Sequence, residues 1–340
     1  MFPFPTKPFV IAEMSGNHNQ SLERALELVD AAAAAGAHAL KIQTYTPDTI
    51  TIDYDKDLFF IEDKNSLWKG RKLYDLYAEA MTPWDWHKAI FDRAKEKGMI
   101  AFSSPFDETS VDFLETLNVP FYKIASFENN HLPLLKKVAK TGKPVIVSTG
   151  ISTVADIAEA VKVLRENGCM NIVLLKCTST YPATPENSNI LTIPHMKQLF
   201  ECEIGLSDHT AGIGVSVAAV ALGATVIEKH FTLRRSDGGV DSAFSLEPEE
   251  LKNLVIECNR AYQALGKINY EILEAEKKSI QFKRSIYVVK DINAGDTFSA
   301  DNIRIIRPGG GMHPRFYESI LGKKASNSLK RGTALNWNLL

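Results

Sequence analysis

The sequence predicts an α/β fold: a (β/α)8 TIM barrel followed by a small C-terminal β-rich domain. Three observations carry that prediction. Eight short apolar, β-branched runs recur along the chain, and each leads into a helical pattern. The eight units fill roughly 265 residues, which suits a closed barrel better than the alternative, an open doubly wound sheet. After Gly266 the alternation stops and the composition turns polar.

In order, the strand candidates are "FVIAEM" (9–14), "ALKIQT" (39–44), "IAFSS" (100–104), "FYKIAS" (121–126), "VIVST" (145–149), "IVLLKC" (172–177), "EIGLS" (203–207) and "TVIEKHF" (225–231). The clearest helical patterns cover 21–35, 83–97, 154–167 and 247–265. Pro83 suits a first helical position, and Gly36, Gly98 and Gly168 suit helix ends. Alternating strands and helices imply parallel pairing through right-handed crossovers. The barrel is assigned to 1–266, a polar linker with a short helix to 267–283, and a small domain to 284–340. That last part has short strands, "NAGD" and "KRG" turns and little helical periodicity. About 55 residues make only a small core.

Composition excludes several classes. The chain has 340 residues, 45% hydrophobic and 24% charged, with net charge −2, so no global field draws it to nucleic acid or to an anionic membrane. Four scattered cysteines lack CxxC spacing and read as reduced, buried thiols. "MFPFPTKPFV" has no apolar leader core, and the run "VSVAAVALGATVI" is too short to span a membrane. A cytoplasmic protein is the default expectation.

Chemistry in such a barrel belongs at the C-terminal strand ends, and polar residues collect there. Glu13 and Ser15 end the first strand. Lys41 and Gln43 follow in the second, Ser103 and Ser104 in the third, and Lys123, Ser126 and Glu128 in the fourth. Ser148 and Thr149 end the fifth, Lys176, Thr178 and Ser179 the sixth, Ser207 and His209 the seventh, and Glu228 and His230 the eighth. Singly, a strand lysine is more often paired or snorkelling, and a strand-end serine is more often a turn former. The agreement of eight strand ends outweighs those readings. Lys41 and Lys123, with Ser148, Thr149, Thr178 and Ser207, suit a compact anion such as phosphate or carboxylate. His209 and His230 end neighbouring strands and could share a divalent ion with open positions for water, Glu13 or substrate. "RPGGGMHP" (307–314) lacks the Lys-Ser/Thr of a phosphate loop, and Arg307, just before its glycines, is a candidate anion contact.

The stretches "IAEMSGNHNQSLERA", "KIQTYTPD", "YKIASFE", "VSTG", "CTSTYP", "GLSDHT", "GATVIEKHF" and "DSAFSLEPEE" together resemble the sialic acid synthase family. From about Arg284 the chain resembles that family's antifreeze-like (SAF) domain. The resemblance implies a barrel whose small domain is swapped onto the partner in a homodimer. It implies condensation of phosphoenolpyruvate with a sugar, assisted by a divalent metal, Mn2+ or Mg2+. "KIQTYTPDTITID", "SLWKGRKLYDLYAEAMTPWDWH" and "RPGGGMHPRFYESILGKKAS" resemble members acting on a 6-deoxy diacetamido sugar, a 2,4-diacetamido-2,4,6-trideoxy-altrose. Carried onto this sequence, Lys41, Lys123, Ser126, Ser148 and Ser207 would hold phosphoenolpyruvate, with Thr149 and Ser179 beside them, and His209 and His230 would hold the metal. Glu13, Glu128, Tyr181 and Asp241 would face the sugar or the attacking water. Arg307 would reach the sugar from the other subunit. Two features depart from members making N-acetylneuraminate: Ser179 stands where they carry asparagine, and the loop 53–71 differs. The rival readings are another nonulosonic acid made by the same chemistry, a phosphoenolpyruvate aldolase acting on a phosphorylated sugar, and a non-catalytic carbohydrate- or ice-binding protein.

Overall fold

The computed structural model describes residues 8–64 and 66–340. The reading of residues 1–7 as lacking a leader core falls outside them. Contacts divide the chain into two units, Met1–Gly266 and Lys267–Leu340.

The first unit is a closed barrel of eight parallel strands: β1 Phe9–Glu13, β2 Ala39–Thr44, β3 Ile100–Pro105, β4 Tyr122–Ile124, β5 Val145–Ser148, β6 Ile172–Cys177, β7 Glu203–Asp208 and β8 Val226–His230. The barrel closes where β1 pairs with β8, with Glu13 opposite His230. β4 is shorter than the sequence suggests, because Ser126–Glu128 already turns into a 3-10 helix.

Period-two alternation sorts the side chains. Phe9, Ile11, Ala39, Phe102, Phe121, Ile146, Val173, Leu175 and Val226 form one buried cluster inside the barrel. Their neighbours along each strand, such as Val10, Leu40, Tyr122, Val147, Leu174 and Ile227, join the larger cluster beneath the helices. The inward rows continue past the apolar floor into polar residues, and that continuation builds the site.

Helices follow each strand: Leu22–Ala34, His87–Glu96, Glu108–Thr116, Leu132–Ala139, Val154–Glu166, Thr192–Phe200, Gly214–Ala221 and Pro248–Leu265. Local chemistry fixes their starts. Ser21 accepts from the Arg24 amide, and Thr153 and Asp156 cap each other reciprocally. Gly36, Gly98 and Gly168 follow helices with positive φ. Pro83 is not a first α-helical residue. It precedes a 3-10 turn, Trp84–Trp86, and the α-helix begins at His87. The Trp84 indole holds the turn there by stacking on Phe113 and donating to the Tyr45 carbonyl at 3.2 Å.

In the second unit, Glu274–Phe282 is an exposed 3-10 helix. Beyond it, β9 Ser285–Val288 pairs antiparallel with β10 Ile303–Ile306. Isolated bridges such as Ile286–Met312 and Ile292–Leu329 extend the pairing. Ile286, Val288, Ile292, Phe298, Ile303, Ile320, Leu329 and Leu335 belong to its own small core.

Candidate active site

The inward rows of β1, β2, β4, β5, β7 and β8 end in one buried ionic cluster. Lys41 Nζ lies 2.6 Å from Glu13 Oε2 and 3.8 Å from Glu228 Oε2. Lys123 Nζ lies 3.6 Å from Glu228 Oε1 and donates to Ser148 Oγ at 2.7 Å. Ser207 Oγ donates to Glu228 at 3.0 Å, and Gln43 Nε2 donates to Glu13 at the same distance. All four charged groups are almost entirely shielded from solvent. Burying unpaired charges would cost several kcal/mol each, so the carboxylates and lysines are mutually required.

Their titration differs by position. Burial pushes Glu13 above the usual carboxylate range, only partly offset by Lys41. Burial also pushes Glu228 upward, but Lys123 and Lys41 outweigh it and hold the carboxyl low. Burial pulls Lys123 below its ordinary value. Burial pulls on Lys41 as well, yet Glu13 and Glu228 leave it raised. An anion placed against these lysines favours a proton on Glu13, the carboxyl already nearest to holding one.

A second tier lies beside this cluster. The Gly150 amide donates to Ser126 Oγ at 3.1 Å. A Cβ built on Gly150 would stand 2.1 Å from Ser179 Oγ and 2.8 Å from Ser126 Oγ, so two hydroxyls converge on a space only glycine leaves open. The next residue, Ile151, has φ of +53°, unusual for a β-branched side chain and typical of functional loops. Thr149 Oγ1 donates to the Leu175 carbonyl at 3.0 Å, so its proton is already committed. Glu128 ends the 3-10 turn with Oε2 buried and unpartnered among the described residues; burial raises its pKa to about 7 against the pull of Lys123. A cavity of about 530 Å3 opens alongside, and Thr149, Cys177 and Ser179 line it together with Lys176.

The histidine pair stands beside these groups, with His230 in register with Glu13 and His209 Nδ1 4.0 Å from Cys177 Sγ. The rings of His209 and His230 lie 5.4 Å apart. His209 Nδ1 donates to the Thr178 carbonyl at 3.0 Å. His230 Nδ1 is buried without a hydrogen-bond partner among the described residues, 3.9 Å from Asp241 Oδ2, and burial holds this imidazole neutral. Asp241 accepts from Ser15 Oγ, and burial raises its pKa. Tyr181 packs 4.4 Å from His209, ring to ring, and burial suppresses its ionisation.

The fold therefore gathers Glu13, Lys41, Lys123, Ser126, Ser148, Thr149, Ser179, Tyr181, Ser207, His209, His230, Glu128 and Asp241 around one end of the barrel. Arg307 lies in the second unit, exposed, just after β10. Sequence reasoning undervalued Glu228, which bridges both lysines. The signal was present: it sits two residues before His230, on the same strand face. It also missed Cys177, inward on β6 and 4.0 Å from His209 Nδ1. Burial pushes that thiol upward, but His209 outweighs it and brings the value to about 7. Among the described residues, no group of three or more His, Cys, Asp and Glu side chains is arranged to hold a metal. The two histidines stand as a pair.

A closed (β/α)8 barrel with buried lysines, hydroxyls and a histidine pair at its strand ends is an enzyme scaffold for anionic substrates. The chain belongs to the NeuB family: the family model matches residues 28–270, and the SAF domain matches residues 283–340. It is similar to the pseudaminic acid synthase of Campylobacter jejuni, at 47% identity over 97% of this chain and 95% of that protein. It is also similar to the pseudaminic acid synthase of Helicobacter pylori, at 42% identity over 97% and 96%. Among solved structures it resembles the N-acetylneuraminic acid (sialic acid) synthetase of Leptospira borgpetersenii, with TM-score 0.71 and 32% identity over 82% of this chain and 91% of that one. The resemblance read from the sequence motifs is borne out.

Proposed function

We propose that the chain is a pseudaminic acid synthase. It condenses phosphoenolpyruvate with 2,4-diacetamido-2,4,6-trideoxy-β-L-altropyranose, giving pseudaminic acid and phosphate. The observation that carries this reading is the similarity to three pseudaminic acid synthases, at 42–47% identity over 97% of the chain.

Lys41 and Lys123 neutralise the phosphoenolpyruvate anion, and Ser126, Ser148, Ser179 and Ser207 surround it. Held there, its methylene carbon attacks the aldehyde carbon of the open-chain sugar; the C–C bond forms as the carbonyl π pair moves to the aldehyde oxygen, which takes up a proton to become a hydroxyl. Water adds at the former enol carbon, and phosphate leaves by C–O cleavage. Glu128, poised near neutrality, accepts the proton from that water. Tyr181 and Asp241 face the sugar.

His209 and His230 are the residues that would hold a divalent ion, Mn2+ or Mg2+. The donors fit: His230 Nδ1 has no partner among the described residues, and His209 spends its Nδ1 proton on Thr178, leaving Nε2 a lone pair. Of the two ions, imidazole donors favour manganese. Such an ion supplies Lewis-acid polarisation of a carbonyl. A homodimer in which Arg307 of one chain serves the other's sugar site belongs to the same reading, as does a cytoplasmic location. No helix among the described residues is long and apolar enough to cross a membrane.

Phosphoenolpyruvate labelled in its bridging oxygen tests the chemistry: the label is expected in phosphate, and its retention in the sugar acid would overturn the route. Offering the altrose together with the sugars for legionaminic acid and N-acetylneuraminate tests the substrate. Preference for either of the latter would reassign it.

A further inference from the structure

An aromatic wall crosses the mouth of the barrel, and one member comes from the loop after β2. Trp68 Nε1 donates to the Val240 carbonyl at 2.9 Å, in the segment after β8. Its ring lies 5.9 Å from Tyr181, in the segment after β6. Tyr181 lies 5.2 Å from Phe244, which lies 4.9 Å from His230. Three loops on three different strands thus meet through tilted and T-shaped ring contacts, from the rim down to the histidine pair.

The loop is built to present this ring. Two backbone bonds close it, Ile61 N to Arg71 O at 2.9 Å and Gly70 N to Ile61 O at 2.8 Å, and Phe60 bridges Lys72 antiparallel. The Trp68 amide donates to Ser66 Oγ at 3.2 Å. The indole N–H, the ring's one polar atom, is used on Val240, so the ring offers only its apolar surface to the mouth.

A sugar whose terminal carbon is a methyl group has an apolar end, and aromatic rings bind C–H surfaces without needing a hydroxyl. We propose that Trp68 is a specificity-determining residue, forming with Tyr181 and Phe244 the wall on which the methyl end of the deoxy sugar packs. This rests on the proposed function, since it takes the sugar to lie beside His209 and His230.

Steady-state kinetics of the full-length, metal-loaded enzyme test it, with the 2,4-diacetamido-2,4,6-trideoxy-altrose and its 6-hydroxy counterpart as probes. An apolar wall discriminates by roughly 10- to 100-fold against an added hydroxyl, so wild type should prefer the deoxy sugar by that factor. Trp68→Ala should raise the sugar KM about tenfold or more and carry the preference toward one, with the phosphoenolpyruvate KM unmoved. Trp68→Phe, which keeps a ring and loses the Val240 bond, should retain most of the preference. Equal losses on both sugars, or a phosphoenolpyruvate KM rising in step, would reduce Trp68 to a latch between loops and overturn the proposal. Phe and Ala variants behaving alike would do the same. Failure of wild type to turn over either sugar would overturn the proposed function, and the assignment with it.

Discussion

Asp208 and Lys229 face each other across β7 and β8, 2.9 Å apart and fully buried, on the side of the strands away from His209 and His230. Each is the sequence neighbour of one histidine. Asp208 also accepts from Ser216 and Thr210, and Lys229 donates to the Thr210 carbonyl at 2.6 Å. The pair ties both strand ends to the helix Gly214–Ala221 and sets the spacing of the two rings. Breaking a buried pair from one side costs about 3–5 kcal/mol, because the remaining charge stays unmatched. Lys229→Met alone should lower stability by that order in urea unfolding. The double variant Asp208→Leu with Lys229→Met should recover part of the loss. A single variant as stable as wild type would show that the pair contributes nothing.

Glu128 gives two pH signatures. As the proton acceptor it must be ionised, so kcat/KM should rise with pH through about 7, and Glu128→Gln should remove that limb. The stability effect has the opposite direction. With a folded pKa raised from 4.5 to about 7, the native state binds the extra proton between these values, so the group's contribution to stability falls as pH rises through that window. Glu128→Gln should therefore gain on wild type as pH climbs from 5 to 8, read as a difference in Tm. A constant difference would count against the raised value.

Gly150→Ala should damage anion binding and spare the fold. Its Cβ would press on the hydroxyls of Ser179 and Ser126, which must move. The KM for phosphoenolpyruvate should rise about tenfold or more, equivalent to losing roughly 1.4 kcal/mol, while far-UV circular dichroism is unchanged. An unaltered KM would place the anion elsewhere.

His209→Ala and His230→Ala should each weaken Mn2+ binding, measured directly by calorimetry or by the spectrum of the free ion, and abolish metal-dependent turnover. Wild-type affinity in both variants would remove the pair from the metal site.

Arg307→Ala and Lys41→Ala chains should be inactive alone. If Arg307 acts across a dimer, mixing and reassembling them should restore up to about a quarter of wild-type activity, from mixed dimers carrying one intact site. No recovery would keep Arg307 within its own chain or outside catalysis.

The barrel was legible because its strands are apolar on both faces, which gives eight unmistakable runs, and the buried ionic cluster sits where those runs turn polar. Lys41, Lys123, His209 and His230 could be singled out from the agreement of the eight strand ends. Glu228 was harder to value: a carboxylate on an inward row reads as a ligand or a counter-ion, and only the 3.6 and 3.8 Å distances show it serving both lysines. Trp68 was out of reach, since its place over the mouth is set by a bond to a residue 172 positions away. The start of the helix after Pro83 was misjudged because the Trp84 contacts, tertiary in origin, override a local proline preference.

The one-residue offset between Asp208 and His209, and between Lys229 and His230, makes the reading frame of each strand a functional property. Deleting or inserting a single residue inside β8 would turn Lys229 toward the substrate and His230 into the helix layer, exchanging the two jobs at a stroke. Changes of length in the loop carrying Trp68 leave that frame untouched. Substrate range in such an enzyme can thus drift through its loops, while the strands tolerate substitution but not a change of count.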